Sequence, residues 1–279
     1  MTTIKIVTDS SCLFETSRAD ELDIHMVDLS VMIDGVSYDH REDLDHEEFV
    51  KMMEASNELP KTSQPPLGKF VELYDELGAD GSEIISIHLT EKLSGTVNTA
   101  RQAAEMTDSN VTVIDSQFID QALGFQVYEA AKAVQAGASK EEVLAIIEKT
   151  RENTQLFIGV ATLENLVKGG RINKLVGALS GFLNMKILME FVNGDFDVVA
   201  KGRGNKTFIK WAKTLETKLA DLDVKYIGIS DADSRELTTE IKGMLTEVFT
   251  KRNIPILHTS PLVATHAGKG AFAVMYYKN

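Results

Sequence analysis

Three polar stretches, far apart in a chain of 279 residues, each set small hydroxyl donors beside a tight turn: T-S-Q-P-P at 62–66, S-G-T at 94–96 and A-T-H-A-G at 264–268. Hydroxyls and a neutral imidazole can satisfy a carboxylate without carrying an opposing charge into an apolar pocket. No base, metal-ligand set or phosphate loop accompanies them, so the chemistry they suit is holding one small anion. Each stretch also has a plainer reading. Thr62 and Ser63 precede Pro65 and Pro66, which suit a helix start, so they could serve as caps or an ST-turn. Ser94 and Gly95 could open a helix in the same way. His266 could be a satisfied interior histidine at the end of a short strand, although Ala267-Gly268 lets backbone approach a ligand closely.

Basic residues form a second set. Arg171 follows Gly169-Gly170, and Arg203 and Lys206 flank Gly204. A guanidinium beside glycines can reach a phosphate or a partner's carboxylates in fork geometry; the alternative is solvated surface charge. Complete catalytic signatures are missing. G-R-G-N-K-T at 202–207 lacks the adjacent Gly-Lys and the glycine spacing of a phosphate loop, and His46-Glu47 meets Val50 where a zinc-binding helix needs a second histidine. There is no G-x-S-x-G elbow. Asp9, Asp28 and Asp115 sit where strand-end aspartates commonly cap turns.

Net charge of −13 argues against nucleic acid as the principal partner. A composition 43% hydrophobic and 25% charged is that of a globular chain, and the one cysteine, Cys12, fits a reducing compartment. Cys12 reads as a small filler at a strand end rather than a reactive thiol. Neither a signal-peptide pattern nor a membrane-length apolar run is apparent, so the expected location is the cytoplasm.

The elements that must position these groups alternate in the first half. Strand-like runs at 4–7, 83–89 and 111–114 are followed by helical spacing at Phe70-Leu73-Tyr74-Leu77, at Val97-Ala100-Ala104, and over 123–134 and 141–152. Asp34-Gly35 marks a hairpin. This alternation predicts an α/β fold with a parallel sheet, and ligands gather beyond the carboxyl ends of such strands, where Ser10, Ser94 and Ser116 fall. The second half reads as a strand over 157–161, a helix near 173–182 and a hairpin turning at Asn193-Gly194. A helix over 206–219, a strand over 226–230, a helix over 236–251 and two terminal strands follow. A boundary near 153–155 divides the chain into an N-terminal α/β domain, 1–154, and a C-terminal α/β domain, 155–279, facing each other across a cleft.

Seven motifs in order carry a resemblance to a known family: T-D-S-S at 8–11, T-S-Q-P at 62–65, L-S-G-T at 93–96, V-I-D-S at 113–116, G-G-R-I at 169–172, G-R-G-N-K-T at 202–207 and A-T-H at 264–266. The chain resembles, over essentially its whole length, the DegV family of bacterial fatty-acid-binding proteins. The resemblance implies a two-domain fold, with an N-terminal parallel sheet, a C-terminal mixed sheet and a lipid pocket at the cleft. It implies that Thr62, Ser94 and His266 converge on a fatty acid carboxylate, with Ser63, Gly95, Thr96 and Thr265 in the surrounding headgroup region. Arg171, Arg203 and Lys206 are then the phosphate or partner contacts.

The implied activity is that of a carrier without catalytic machinery, metal or cofactor of its own. It binds a long-chain fatty acid and presents the carboxylate to a separate kinase subunit, which holds ATP and Mg2+ and makes an acyl phosphate. Transient contact with a membrane surface is compatible with that work. The tail is expected among Val176, Leu179, Phe182, Leu183, Met185, Ile187, Leu188, Met189 and Phe191, a cluster that could equally be plain core. A sixteen-carbon tail would gain more than ~10 kcal/mol gross, at ~0.8 kcal/mol per methylene. Two positions depart from the family pattern: Lys269 stands where proline is expected, and Val97 where an aromatic is expected. They would loosen the loop after His266 and alter tail packing. The competing readings are a small-molecule kinase or serine-based hydrolase of related fold, and a lipid buffer or sensor with no kinase partner.

Overall fold

The computed structural model describes residues 3–15, 21–39, 45–172, 185–249 and 253–279. The expected helix at 173–182 lies outside these residues, as do Val176, Leu179, Phe182 and Leu183 of the apolar cluster. Three sheets organise the described chain. The first is all parallel, in the order β2-β1-β6-β7, where β1 is Ile4–Asp9, β2 Ile24–Val27, β6 Glu83–His88 and β7 Asn110–Asp115. The second is a six-stranded mixed sheet in the order β10-β9-β8-β13-β11-β12. Its strands are β8 (Thr154–Val160), β9 (Lys186–Val192), β10 (Asp195–Gly202), β11 (Val224–Ala232), β12 (Ile256–His258) and β13 (Ala271–Lys278). Only the β11–β12 pair in it is parallel. This pairing of a parallel and a mixed sheet is the fold class the sequence implies.

A small third sheet, β4-β3-β5 with β5 at Lys61–Ser63, is antiparallel. In it β3 (Ser30–Ile33) turns into β4 (Val36–Asp39) at Asp34-Gly35, with φ of 48° and 84°. Asn193 and Gly194 repeat that geometry between β9 and β10, at φ 51° and 80°. Both hairpins stand where Asp-Gly and Asn-Gly predict them, because a tight turn of this hand needs positive φ at its two central residues.

One helix joins the two large sheets. Asp120–Gln135 packs on β1 and β6 on one side and on β8, β11 and β13 on the other. Its sequence is accordingly apolar or small most of the way round, and eleven of its residues are buried. The largest hydrophobic cluster runs through it, from Ile6 and Ile85 through Leu123 and Val127 to Leu156 and Met275. Thr96–Met106 and Leu67–Gly78 cover the outer face of the parallel sheet around Phe70, Tyr74 and Ile84. Lys206–Ala220 and Arg235–Val248 cover the outer face of the mixed sheet around Phe208, Leu215 and Ile241. The last of these helices stops short of the expected Lys251, which lies outside the described residues.

Several elements have no counterpart in the sequence reading: β2, the helix His46–Ala55, β5 (Lys61–Ser63), and the short helices Glu164–Lys168 and Pro261–Ala267. Three of them carry the site. His266 lies in the last turn of Pro261–Ala267, not at a strand end. Pro261 at the first turn and the Ser260 hydroxyl accepting the Val263 N–H start that helix. Among the described residues no helix is long and apolar enough to cross a membrane.

Candidate functional site

A cavity of about 330 Å³ opens between the three-stranded sheet, the loop before Thr96–Met106 and the inner face of the mixed sheet, within the range of small-molecule sites. Thr62, Ser63, Gln64, Ser94, Gly95, Arg171 and His266 contribute polar wall. Leu29, Leu89, Leu156, Ile158, Phe196 and Leu262 are among its apolar lining residues.

Thr62 is placed by strand pairing, opposite Val31 in β3. The plainer capping alternative does not hold for Thr62 and Ser63: Leu67–Gly78 takes Pro66 as its N-cap with no side-chain cap bond. Thr62 Oγ1 instead lies 2.9 Å from His266 Nε2, joining residues 204 apart in sequence. His266 Nδ1 is buried with no hydrogen-bond partner among the described residues. With no acceptor facing Nδ1 there, the ring hydrogen is better placed on Nε2, donating to Thr62 Oγ1. The Thr62 hydroxyl hydrogen is then available to the cavity. Burial and the nearby Arg171 charge push the His266 pKa down to about 4, so the ring is neutral at pH 7.

Glycines permit this packing. A Cβ on Gly169 would come within 2.4 Å of His266 Nδ1. Gly170, at φ 72°, ends Glu164–Lys168 in the left-handed region and turns the chain into Arg171. Arg171 is half-buried; its Nε donates to the Leu93 carbonyl at 3.1 Å and its Nη1 to the Gly169 carbonyl at 2.7 Å. The guanidinium is thereby tied to the loop that carries Ser94. Ser94 Oγ accepts the Thr96 N–H at 3.3 Å and lies 2.9 Å from Thr96 Oγ1, an ST-turn that leaves the Ser94 side chain on the cavity wall. The helix-start role of this turn leaves the Ser94 hydroxyl facing the cavity.

Not every expected site residue comes to the cavity. Thr96 and Thr265 are buried away from it; Thr265 donates to the Pro261 carbonyl at 2.9 Å within its own helix. Arg203 and Lys206 line a separate surface hollow with Lys201, Lys210 and Trp211. Ser10 and Ser116 are spent on backbone: Ser10 Oγ accepts the Leu29 N–H, and Ser116 Oγ accepts the Phe118 N–H. The described part of the expected tail cluster is not on the cavity wall. Met185 and the β9 residues Ile187, Leu188, Met189 and Phe191 do not line the cavity, and the β9 four are buried core because β9 runs between β8 and β10. Nor does Val97, which is fully buried. Lys269, at the surface, bridges Glu54 at 2.8 Å and Asp233 at 3.0 Å.

The sequence reading missed Gln64, Asp120, Ser230, Asp231 and Thr259 as cavity residues. Asp120 begins its helix at φ 61°, takes hydrogen bonds from Ser230 and Thr259, and burial pushes its carboxyl pKa up. A non-glycine residue at positive φ can be observed only in the fold. Cys12 is a buried filler as expected, its thiol pKa raised by burial. A chain of Asp9, His88 and Ser86, linked at 3.0 and 2.7 Å, has the composition of a hydrolase triad. All three side chains are completely buried, Tyr74 closes the far end at 2.8 Å, and none lines the cavity. The chain is a structural polar strut across the parallel sheet.

A family model described as "Uncharacterised protein, DegV family" matches residues 3–279. The DegV domain-containing protein YejH of Lactococcus lactis subsp. lactis is 49% identical over 98% of this chain and 98% of its own. Among solved structures, DegV, a fatty acid binding protein from Bacillus subtilis, superposes with a TM-score of 0.91 and 28% identity, covering 100% of both chains. The Streptococcus pneumoniae Fatty Acid Kinase (Fak) B3 protein loaded with linoleic acid does so with a TM-score of 0.85 and 25% identity, also covering 100% of both.

Proposed function

This chain belongs to the DegV family, and we propose from that premise that it is a carrier, burying a long-chain fatty acid in the cavity and presenting the carboxylate to a separate kinase subunit. The observation that carries this reading is that neutral donors from two distant segments, Thr62 and His266, meet on the wall of a cavity that also has extensive apolar lining. Ser94, from a third segment, shares the cavity wall. In this reading Thr62 and Ser94 donate hydroxyl hydrogens to the carboxylate, and His266 orients Thr62. Ser63 and Gly95 flank them, and the Arg171 guanidinium favours the anionic form of the ligand. The acyl methylenes supply most of the affinity, at ~0.8 kcal/mol each; the polar groups fix which end faces out.

The kinase subunit supplies ATP and Mg2+. A carboxylate oxygen attacks the γ-phosphorus, the bond from that phosphorus to the departing ADP oxygen breaks, and an acyl phosphate remains on the carrier. Arg203 and Lys206, in their own basic hollow, suit the docking surface for that partner. The protein works in the cytoplasm and meets the membrane surface only to load or unload. The hydrolase reading is disfavoured by the burial of Ser86, His88 and Asp9.

The test is denaturing extraction with mass spectrometry, followed by incubation with the kinase subunit and ATP. A bound long-chain acid, and acyl phosphate only when both proteins are present, is the expected result. A protein with no acyl chain that binds no added fatty acid refutes the carrier. Binding without acyl phosphate leaves a lipid buffer instead.

A further inference from the structure

Three side chains far apart in sequence bring metal-ligand atoms together beside the cavity. His46 opens the helix His46–Ala55, Asp231 lies near the end of β11, and His258 ends β12; one ligand atom from each lies within 4.8 Å of the other two. The imidazoles stack with centroids 4.3 Å apart, and His258 Nδ1 is 3.2 Å from Asp231 Oδ1. His46 Nδ1 is 2.9 Å from the Thr259 carbonyl oxygen. A carbonyl only accepts, so Nδ1 carries the hydrogen and Nε2 keeps its lone pair. That Nε2 is buried and has no hydrogen-bond partner among the described residues. A carbonyl behind one ring nitrogen and a bare second nitrogen is how metal-binding histidines are oriented.

We propose that His46, Asp231 and His258 form a site for a zinc-class divalent cation, with its fourth position open to water. Two imidazoles and one carboxylate suit Zn2+ better than the all-oxygen cations Mg2+ and Ca2+. Tetrahedral bonds of about 2.0–2.2 Å hold ligand atoms roughly 3.4 Å apart with each imidazole lone pair aimed in its own ring plane at the ion, so the exposed His258 ring turns out of its stack on His46 as the set closes on loading. Arg235 competes for the site. Its Nε lies 2.9 Å from Asp231 Oδ2 and its Nη2 3.1 Å from the His258 ring nitrogens. The Arg235 side chain is 43% exposed, so it can swing into water and release Asp231. The bound ion ties the first turn of His46–Ala55 to β11 and β12. This site does not depend on the fatty-acid reading.

Chelator-treated full-length protein titrated with ZnCl2, against a competing chromophoric chelator, tests the assignment. One equivalent binds per chain and raises the melting temperature. His258→Asn, at an exposed position, folds normally and weakens uptake about tenfold or more, as does His46→Asn. Arg235→Gln, which removes the competing charge, tightens binding. No stoichiometric uptake by the wild type, or equal uptake by a His46→Asn/His258→Asn double variant, overturns the site.

Discussion

Thr62→Val is the sharpest test of the headgroup assignment, because valine keeps the shape and removes only the hydroxyl. Thr62 Oγ1 is the partner of His266 Nε2 at 2.9 Å, and His266 Nδ1 has none among the described residues. The variant therefore strips the ring of its hydrogen bond and the ligand of a donor in one step. A hydrogen bond to a charged group is worth about 1.5–3 kcal/mol, so fatty acid affinity falls by roughly 10- to 150-fold. An unsatisfied buried ring N–H costs the ligand-free protein about 1–3 kcal/mol as well. Thr62→Ser keeps the oxygen and the donor and stays close to wild type in both respects. Isothermal titration with a long-chain fatty acid gives the first quantity, and urea unfolding of delipidated protein gives the second. Equal affinities for the valine and serine variants would refute the reasoning, since only the hydroxyl distinguishes them in this argument.

Other consequences concern packing, protonation and docking. A Cβ at position 95 would come within 2.1 Å of Gln64 Oε1, the end of a flexible side chain that bonds Thr99. Gly95→Ala therefore moves that amide aside and lowers stability by about 0.5–1.5 kcal/mol, the worth of the lost hydrogen bond, and in a Gln64→Ala background the same change costs nothing in the unfolding assay. The His266 pKa is depressed to about 4, so the unfolded chain binds more protons between there and the ordinary value of 6.5. Ligand-free stability is therefore full above about pH 6.5 and falls as pH drops toward 4, by at most about 3 kcal/mol. His266→Asn flattens that slope in denaturant titrations across the window, and an unchanged slope counts against the assignment. Arg203→Ala leaves fatty acid binding near wild type and slows acyl phosphate formation with the kinase subunit; a collapse in lipid affinity would place Arg203 in the pocket instead.

The alternating first half and both hairpins were legible in the sequence, because periodicity and Asp-Gly or Asn-Gly turns are set by residues close in the chain. The candidate donors Thr62, Ser94 and His266 were legible as types, and the motif order suggested that they belong together. Which of their neighbours share the cavity was not. Thr96 and Thr265 carry the same hydroxyl as Thr62, yet helical geometry turns them inward. Ile187 and Met189 have the same apolar character as Leu156 and Ile158, yet β9 puts them in core and β8 gives a cavity wall. Composition cannot make that distinction, since it depends on which faces the pairing partners cover.

Local chemistry therefore determined the elements and the kinds of groups available, and the tertiary structure decided which of them meet. His46 shows the difference: the residue one helical turn on is Val50, so no metal motif exists along the chain, but chain crossing brings Asp231 and His258 to it. Asp120 shows it again, a helix-start aspartate whose positive φ and buried carboxyl appear only once β11 and the Thr259 loop close over it. Contacts between residues a hundred or more positions apart are fixed by packing of whole sheets against one shared helix, and that packing leaves no periodic mark in any short stretch of sequence.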